Sequence, residues 1–196
     1  MKTFAKAVAV LMVSLTGGAA LAQHQAHDGA AISESERAER RQEILAMSKN
    51  TISEMRKNDV AGDLLGKEYG HAVFDTTKGG FVVTGAGGTG VAMRKNGGDP
   101  VFMHLGAGGV ALGAGIENYK LVILFEDKET YDKFVEGAWT AGVSAQAAAG
   151  REGKAAVGKF ANGVAVYHLN DKGVIAQVDV TGVKFWPSDR LNEGPA

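Results

Sequence analysis

A glycine-rich run at Gly85–Gly90, with the sequence GAGGTG, has the spacing of a known ligand-binding motif. The pattern G-x-G-x-x-G is found in loops that hold the pyrophosphate of a dinucleotide at the N-terminus of a helix. The sequence that follows, VAMRKNGGDP, begins with a β-branched residue and then turns, so it does not predict such a helix. The run therefore predicts a glycine-rich β-hairpin and no bound nucleotide.

Basic residues at the ends of predicted elements could bind phosphate. Lys78 precedes a predicted turn at Gly79–Gly80, Arg94-Lys95 ends a predicted strand, and Arg56-Lys57 ends a predicted helix. Each such cation is attracted to an anionic membrane surface by about 1 kcal/mol. If the glycine-rich run reverses the chain, hairpin pairing places Lys78 beside Arg94-Lys95. These three are the first lipid-binding candidates and Arg56-Lys57 the second, and a solvated charged surface is the alternative.

The residue types that carry catalysis or hold metals are sparse. Cysteine is absent, which excludes thiolate nucleophiles, disulfides and cysteine-type zinc sites. His71, His104 and His168 are isolated in predicted strands, where packing explains them. His24 and His27 lie in a polar leader that is expected to be unstructured; the alternative is that, after cleavage of a signal peptide before Gln23, the free amine of Gln23 and the His24 imidazole chelate copper or nickel. The sequence therefore predicts no enzyme, no cofactor and no metal.

The overall charge argues against nucleic acid as a partner. The chain has 21 basic and 22 acidic residues, a formal net charge of −1. A protein that binds DNA or RNA usually presents a strongly basic field, because the phosphate backbone dominates the affinity. We therefore expect no nucleic-acid binding.

The first 22 residues have the three parts of a secretory signal peptide. Lys2 and Lys6 supply the positive region, Ala7–Leu15 is a short apolar run, and Ala20–Ala22 has the small-x-small pattern of a cleavage site. The apolar run is too short to span a bilayer comfortably, although a membrane anchor is the alternative. Gln23 stands where a lipoprotein would need cysteine. The sequence predicts a soluble periplasmic or secreted protein that is not a lipoprotein.

The remaining chain is predicted to be a disordered leader at 23–32 and one domain at 33–192. Ser33–Glu36 fits a capping box that starts a long amphipathic helix over 33–58. Its inward face should carry the residues spaced by three and four, which are Leu45, Ser48, Ile52 and Met55. Shorter helices are predicted over 60–68 and 127–137, and the polar tail from Asp189 is expected to fray.

After Gly70 the pattern becomes that of strands. Short strands are predicted near 71–74, 80–85, 90–95, 101–106, 110–116, 120–126, 144–149, 163–169, 173–180 and 183–186. The run KLVILFE at 120–126 is continuously apolar, as in a strand that is buried on both faces.

Glycine makes up 28 of the 196 residues, about twice its usual share of roughly 7%. We expect glycines at turns, at bulges or where strands approach closely, and the positions singled out are Gly79, Gly80, Gly85, Gly90 and Gly109. The predicted fold class is α+β. It is a small antiparallel, strongly curved sheet or β-barrel-like core with about three helices packed outside and a signal peptide before it.

Three segments resemble, in the same order, motifs of the SYLF domain family. They are KEYGHAVFDTTKGGFVVTGAGGTGVAM (Lys67 to Met93), AGGVALGAGIENYKLVILFEDKETYDKF (Ala107 to Phe134) and LNDKGVIAQVDVTGVKF (Leu169 to Phe185). The resemblance covers roughly residues 60–192. It implies a β-barrel core with outer helices and a module that binds phospholipids and phosphoinositides and is often exported in bacteria.

The residues and the resemblance together predict a function. The expected protein is an exported, non-enzymatic component of the cell envelope that weakly binds anionic phospholipid or phosphoinositide-type head groups at a membrane surface. The alternative is a structural or protein-interaction module that supports cell-envelope integrity without lipid specificity, with envelope proteins as its partners.

Overall fold

The architecture was obtained as a computed structural model, which describes residues 32–80, 83–110, 115–137, 159–170, 173–176 and 183–194. The predicted signal peptide, the leader before residue 32 and the predicted strand at 144–149 lie outside these residues. The described helices are α1 (Glu34–Met55), α2 (Asp59–Leu64), α3 (Lys128–Val135) and α4 (Asp189–Asn192). The described strands are β1 (Gly70–Gly80), β2 (Val83–Arg94), β3 (Val101–Val110), β4 (Gly115–Phe125), β5 (Val164–Asn170), β6 (Gly173–Ala176) and β7 (Val183–Pro187).

The strands form one antiparallel sheet in the order β6-β5-β4-β1-β2-β3-β7. The predicted α+β class is confirmed. The prediction of a barrel-like core is wrong, because no pairing among the described residues joins β6 to β7. The sheet is nevertheless strongly curved. The rings of Phe74 on β1 and Phe185 on β7 are 5.1 Å apart, although a flat sheet would hold strands three places apart at about 14 Å.

The two faces of the sheet explain why it stays open. In the second half of β4, Leu121–Phe125 are all buried, as the continuous apolar run predicted. Their alternate side chains belong to two different cores. A closed barrel has one interior, whereas a strand that is apolar on both sides needs cover on both sides. Helix α3 covers one face, which we call the α3 face, and helices α1 and α2 cover the other, the α1 face.

Helix α1 begins where its capping box predicted. The Ser33 backbone N–H donates to Glu36 Oε2 at 2.9 Å, and the Glu36 N–H donates to Ser33 Oγ at 3.3 Å. The pairing satisfies two N–H groups that a helix otherwise leaves free. The buried residues of α1 are Ser48, Thr51, Ile52 and Met55. This stripe packs α1 across the sheet, so the C-terminal end of the helix meets the start of β1.

The hairpins reverse at places that the glycine pattern did not predict. The predicted strands 80–85 and 110–116 are wrong, because β1 ends at Gly80 before β2 begins at Val83, and β3 ends at Val110 before β4 begins at Gly115. The glycine-rich run Gly85–Gly90, predicted as a turn, lies inside β2.

The reason is visible at Gly90. A Cβ atom there would lie 2.2 Å from the Val73 carbonyl oxygen and 2.6 Å from the Phe74 ring, so this glycine permits close approach within the ladder, as predicted. Gly79 faces Gly85 in the β1–β2 ladder, and Gly80 and Gly109 both face Thr84 from the two sides of β2. For these four glycines the predicted structural role stays a prediction.

The C-terminal tail is ordered by side-chain hydrogen bonds, so the prediction that it frays is wrong for residues 189–192. The Asn192 amide donates to the Phe102 carbonyl oxygen and accepts from the Phe102 N–H, each at 2.8 Å. Arg41 of α1 donates to the carbonyl oxygens of Leu191 at 2.6 Å and Glu193 at 2.8 Å. A cation at the C-terminus of a helix also stabilises its dipole. The first and last described helices are thereby joined.

Candidate functional site

Most of the cations that we selected from the sequence lie at one end of the sheet. Gly70, the first residue of β1, pairs with Arg94 at the end of β2 and with Phe125 at the end of β4. We call this the proximal end. The opposite, distal end is where β1 stops at Gly80 and β2 starts at Val83.

Lys78 lies toward the distal end and not beside the other candidates. It pairs with Ala86, eight residues along β1 from the Gly70–Arg94 pair. At about 3.4 Å per residue this is a separation of about 27 Å. The expectation that Lys78 shares an end with Arg94 and Lys95 is therefore wrong, because the chain reverses between Gly80 and Val83 and not within Gly85–Gly90.

Lys95 and Arg56 come together at the proximal end from different elements. The Lys95 ammonium donates to the Gly66 carbonyl oxygen at 2.6 Å and lies 3.9 Å from Glu68 Oε2. Arg56, which caps the C-terminus of α1, is close enough for its charge to act on both Glu68 and His71. The end of the long helix and the end of β2 thus supply cations to the same place.

Arg94 extends the positive charge around the edge of the sheet. Its charge acts on Tyr131 of α3, whereas the neighbouring Lys95 reaches Gly66 and Glu68 below α1. Successive strand residues point to opposite faces, which explains the division. We use the name basic cluster for Arg56, Arg94 and Lys95 together with two exposed neighbours in the chain, which are Lys57 after Arg56 and Lys67 between Gly66 and Glu68.

Two members of this region were missed from the sequence. Lys67 and Glu68 follow α2, and a pair of opposite charges after a short helix has no special pattern. Glu68 is buried, with a side chain only 3% exposed, and its Oε2 atom has no hydrogen-bond partner among the described residues. Burial raises the pKa of the Glu68 carboxyl, and its own backbone N–H, Lys95 and Arg56 act in the opposite direction.

His71 lies on β1 in the same neighbourhood. Burial lowers the pKa of its imidazole to about 4, and the positive charge of Arg56 acts in the same direction. The Nδ1 atom is buried without a hydrogen-bond partner among the described residues. His71 is therefore neutral at physiological pH and adds no charge to the basic cluster.

The lowered pKa of His71 predicts acid sensitivity of the fold. An imidazole has a pKa of about 6.5 in an unfolded chain, so between about pH 6.5 and 4 the unfolded state binds the proton first. The stabilisation is complete above pH 6.5, and we expect the free energy of unfolding to fall by at most about 3 kcal/mol as the pH drops through this range. Urea unfolding at pH 7.5 and 4.5 measures this loss.

The matched variant for that measurement is His71→Gln, which is uncharged at both pH values. Its loss of stability on acidification should be smaller than that of the wild type. The raised pKa of Glu68 works in the opposite sense, since it favours the folded state as the pH falls, and it is common to both proteins. An equal loss of stability in the two proteins contradicts this account of His71.

A polar groove adjoins the basic cluster. It runs between the C-terminal half of α1 and the start of β6, and its lining residues are Asn50, Ser53, Glu54, Lys57, Asn58 and Gly173. Lys57 belongs to both the groove and the cluster. Hydrogen-bonding side chains therefore continue from the cluster along the exposed side of α1.

The other predicted histidines lie away from the proximal cations. His104 packs against Trp186, with ring centroids 5.8 Å apart, and His168 packs against Tyr119 at 3.9 Å. Within the described residues no three potential metal ligands are grouped together. Among the described helices, none combines the length and apolarity needed to cross a bilayer.

The described residues thus form a curved α+β sheet with helices on both faces and a basic cluster beside one end. Residues 106–194 match the family described as Ysc84: Las17-binding protein actin regulator. The match confirms the SYLF resemblance for this part of the chain.

A relative supports the same assignment. Beta cell expansion factor A from Aeromonas veronii is 35% identical over 130 residues, which is 66% of this chain and 50% of that protein. The matched part thus spans about half of the relative's length. The family description and the relative's name are those of binding or regulatory proteins.

Proposed function

We propose that this chain is an exported, non-enzymatic protein that weakly binds anionic phospholipid head groups through its basic cluster. The observation that carries the proposal is the convergence of exposed cations from the end of α1, the segment after α2 and the end of β2. A phospholipid surface is the partner that fits, because exposed ammonium and guanidinium groups attract phosphate without needing an enclosed pocket.

The strength of such binding follows from the charges. Near an anionic surface each exposed Lys or Arg contributes about 1 kcal/mol, and five cations give weak, reversible attachment. The chain as a whole has a net charge of −1, so the attraction depends on the local cluster and not on the overall charge. Salt should weaken it strongly, since the Debye length is about 10 Å at 0.1 M and about 3 Å at 1 M.

Export is a separate part of the proposal and rests on the sequence of residues 1–22. A positive region, an apolar run and a small-x-small cleavage pattern support secretion and release before Gln23. An exported module would meet the phospholipids of the cell envelope, and phosphatidylglycerol is therefore a suitable probe lipid.

A triple variant tests the basic cluster directly. Arg56→Gln, Lys57→Gln and Lys67→Gln together remove three exposed positive charges from the proximal end. At low salt we expect affinity for phosphatidylglycerol vesicles to fall on the order of 100-fold, since about 1 kcal/mol is lost per charge and about 1.4 kcal/mol is a factor of ten. Co-sedimentation with vesicles over a range of lipid concentrations measures the change, and thermal unfolding checks that the variant is folded.

The matched control removes three cations elsewhere, through Arg40→Gln, Lys78→Gln and Lys184→Gln. Arg40 lies in the first half of α1, Lys78 lies toward the distal end of β1, and Lys184 is an exposed residue of β7. This control changes the net charge equally and should bind nearly as well as the wild type. Equal loss in both variants, or none in the cluster variant, contradicts the proposal.

The second candidate function is a protein-interaction module of the cell envelope. The description of the matched family names a protein partner, Las17, and this favours a protein-binding role. In this chain the groove beside α1 offers amide, hydroxyl, carboxylate and ammonium groups to such a partner. A wild-type protein that fails to bind phosphatidylglycerol vesicles at low salt would favour this alternative over lipid binding.

A further inference from the structure

Glu68 is the least expected residue at the proximal end. A charged carboxylate is stable in a protein interior only when it is paired and hydrogen-bonded. The Glu68 side chain is only 3% exposed and its Oε2 atom has no hydrogen bond among the described residues. The nearest cation recorded for it, the Lys95 ammonium, is 3.9 Å away. A group placed in this way stabilises the fold poorly when charged, so its position calls for another explanation.

The surroundings of Glu68 give that explanation. The charged groups that act on its carboxylate are Lys95 from the end of β2 and Arg56 from the end of α1. His71 on β1 is under the influence of the same Arg56 and is neutral. The buried carboxylate therefore lies near two members of the basic cluster, and its negative charge cancels part of their positive charge.

We propose that Glu68 is a positioning residue that sets the affinity of the basic cluster for anionic membrane surfaces, and that proton uptake by its carboxyl strengthens the binding. This inference rests on the lipid-binding function proposed above. In the charged form, Glu68 neutralises part of the positive charge of Lys95 and Arg56 and so weakens their attraction for phosphate. In the protonated form the same two cations act on phosphate without an internal competitor.

The direction of the effect follows from the ionisation of the carboxyl. Burial favours its neutral form, so Glu68 takes up a proton at a higher pH than an exposed glutamate does. Lowering the pH therefore raises the net positive charge of the basic cluster by one unit. The wild-type protein should bind anionic vesicles more tightly at mildly acidic pH than at neutral pH.

The test compares the full chain carrying Glu68→Gln with the wild type. The probe is a phosphatidylglycerol–phosphatidylcholine vesicle, because the phosphodiester of phosphatidylglycerol stays ionised between pH 4.5 and 7.5. At pH 7.5 and 0.1 M salt we expect Glu68→Gln to bind on the order of fivefold more tightly, the effect of one unit charge near an anionic surface. Between pH 7.5 and 4.5 its affinity should rise less than that of the wild type.

Glu39→Gln is the matched control, because it removes one negative charge from an exposed position of α1. Glu39 precedes Arg56 by 17 residues, or about 25 Å along a helix, which exceeds the Debye length at 0.1 M salt. This variant should match the wild type in affinity at pH 7.5 and in its pH profile. Soluble glycerophosphate at equal phosphate concentration should compete poorly, because the proposed partner is a lipid surface.

The outcomes separate the two proposals. If the wild type binds phosphatidylglycerol vesicles but Glu68→Gln has the same affinity and the same pH profile, the role of Glu68 is overturned and lipid binding stands. If neither protein binds at any pH, both proposals are overturned. A wild-type affinity that is flat from pH 7.5 down to pH 4.5, the ordinary pKa of a glutamate, also overturns the role of Glu68, and this measurement does not depend on any variant.

Discussion

Gly90→Ala is expected to lower the free energy of unfolding by at least about 3 kcal/mol, at the severe end of single substitutions. The added Cβ atom would lie 2.2 Å from the Val73 carbonyl oxygen and 2.6 Å from the Phe74 ring. Both are held within β1, which is hydrogen-bonded on both sides to β2 and β4. The overlap between the added Cβ atom and these groups can therefore be removed only by a shift of the backbone in the middle of the sheet. Chemical denaturation with urea, followed by circular dichroism, measures the loss.

Gly66→Ala is the control for this experiment. The nearest atom to a Cβ at Gly66 is the Asp63 carbonyl oxygen at 4.0 Å, which is ordinary contact. The substitution should change the free energy of unfolding by no more than about 0.5 kcal/mol, as is usual for surface positions. If the two alanine variants unfold at the same urea concentration, the close approach at Gly90 is not what the structure indicates.

Phe185→Ala should cost about 3–5 kcal/mol, the usual range for the loss of a buried phenylalanine. Phe185 is fully buried, and its ring centroid is 5.1 Å from that of Phe74 on β1 and 5.1 Å from that of Phe134 on α3. The Phe185 side chain therefore packs the edge strand β7 against β1, in the centre of the sheet, and against α3. Its removal leaves a cavity that three different elements would have to close.

The neighbouring Trp186 provides the comparison. It is only partly buried and lies on the opposite face, above Gly106 and beside His104. Trp186→Ala should therefore destabilise the protein less than Phe185→Ala does, although tryptophan is the larger side chain. The reverse order of the two unfolding midpoints would show that the curved face is not the main support of β7.

The parts of the fold that could be predicted are those with local signals. The capping box at Ser33–Glu36 fixed the start of α1, and the apolar run at 120–126 predicted a strand that is buried on both faces. The hairpin reversals could not be predicted, because glycine serves both in turns and at close approaches between strands. Gly90 has the second role, and the sequence around it does not distinguish the two.

The sequence predicted which cations end helices and strands, but it did not predict the strand register that decides which of them lie close together. Arg56, Lys57, Arg94 and Lys95 were chosen because they end elements, and the structure places Arg56, Arg94 and Lys95 at the proximal end and Lys57 in the adjoining groove. Lys78 was grouped with them on the assumption of an earlier turn, and a shift of the reversal moved it toward the distal end. Glu68 escaped notice because burial of a carboxylate depends on tertiary packing. Binding of lipid by these cations stays a prediction.

The contact between Arg41 and the C-terminal carbonyl oxygens has a consequence for the order in which the domain assembles. The hydrogen bond from Arg41 to Leu191 joins residues 150 positions apart in the chain. Closing so long a loop has an entropic cost that only completed packing repays, and folding slows as such distant contacts predominate. The first helix therefore gains this support only when residues 191–193 have been synthesised. We expect the contact between α1 and α4 to form late in folding, after the sheet between them has packed.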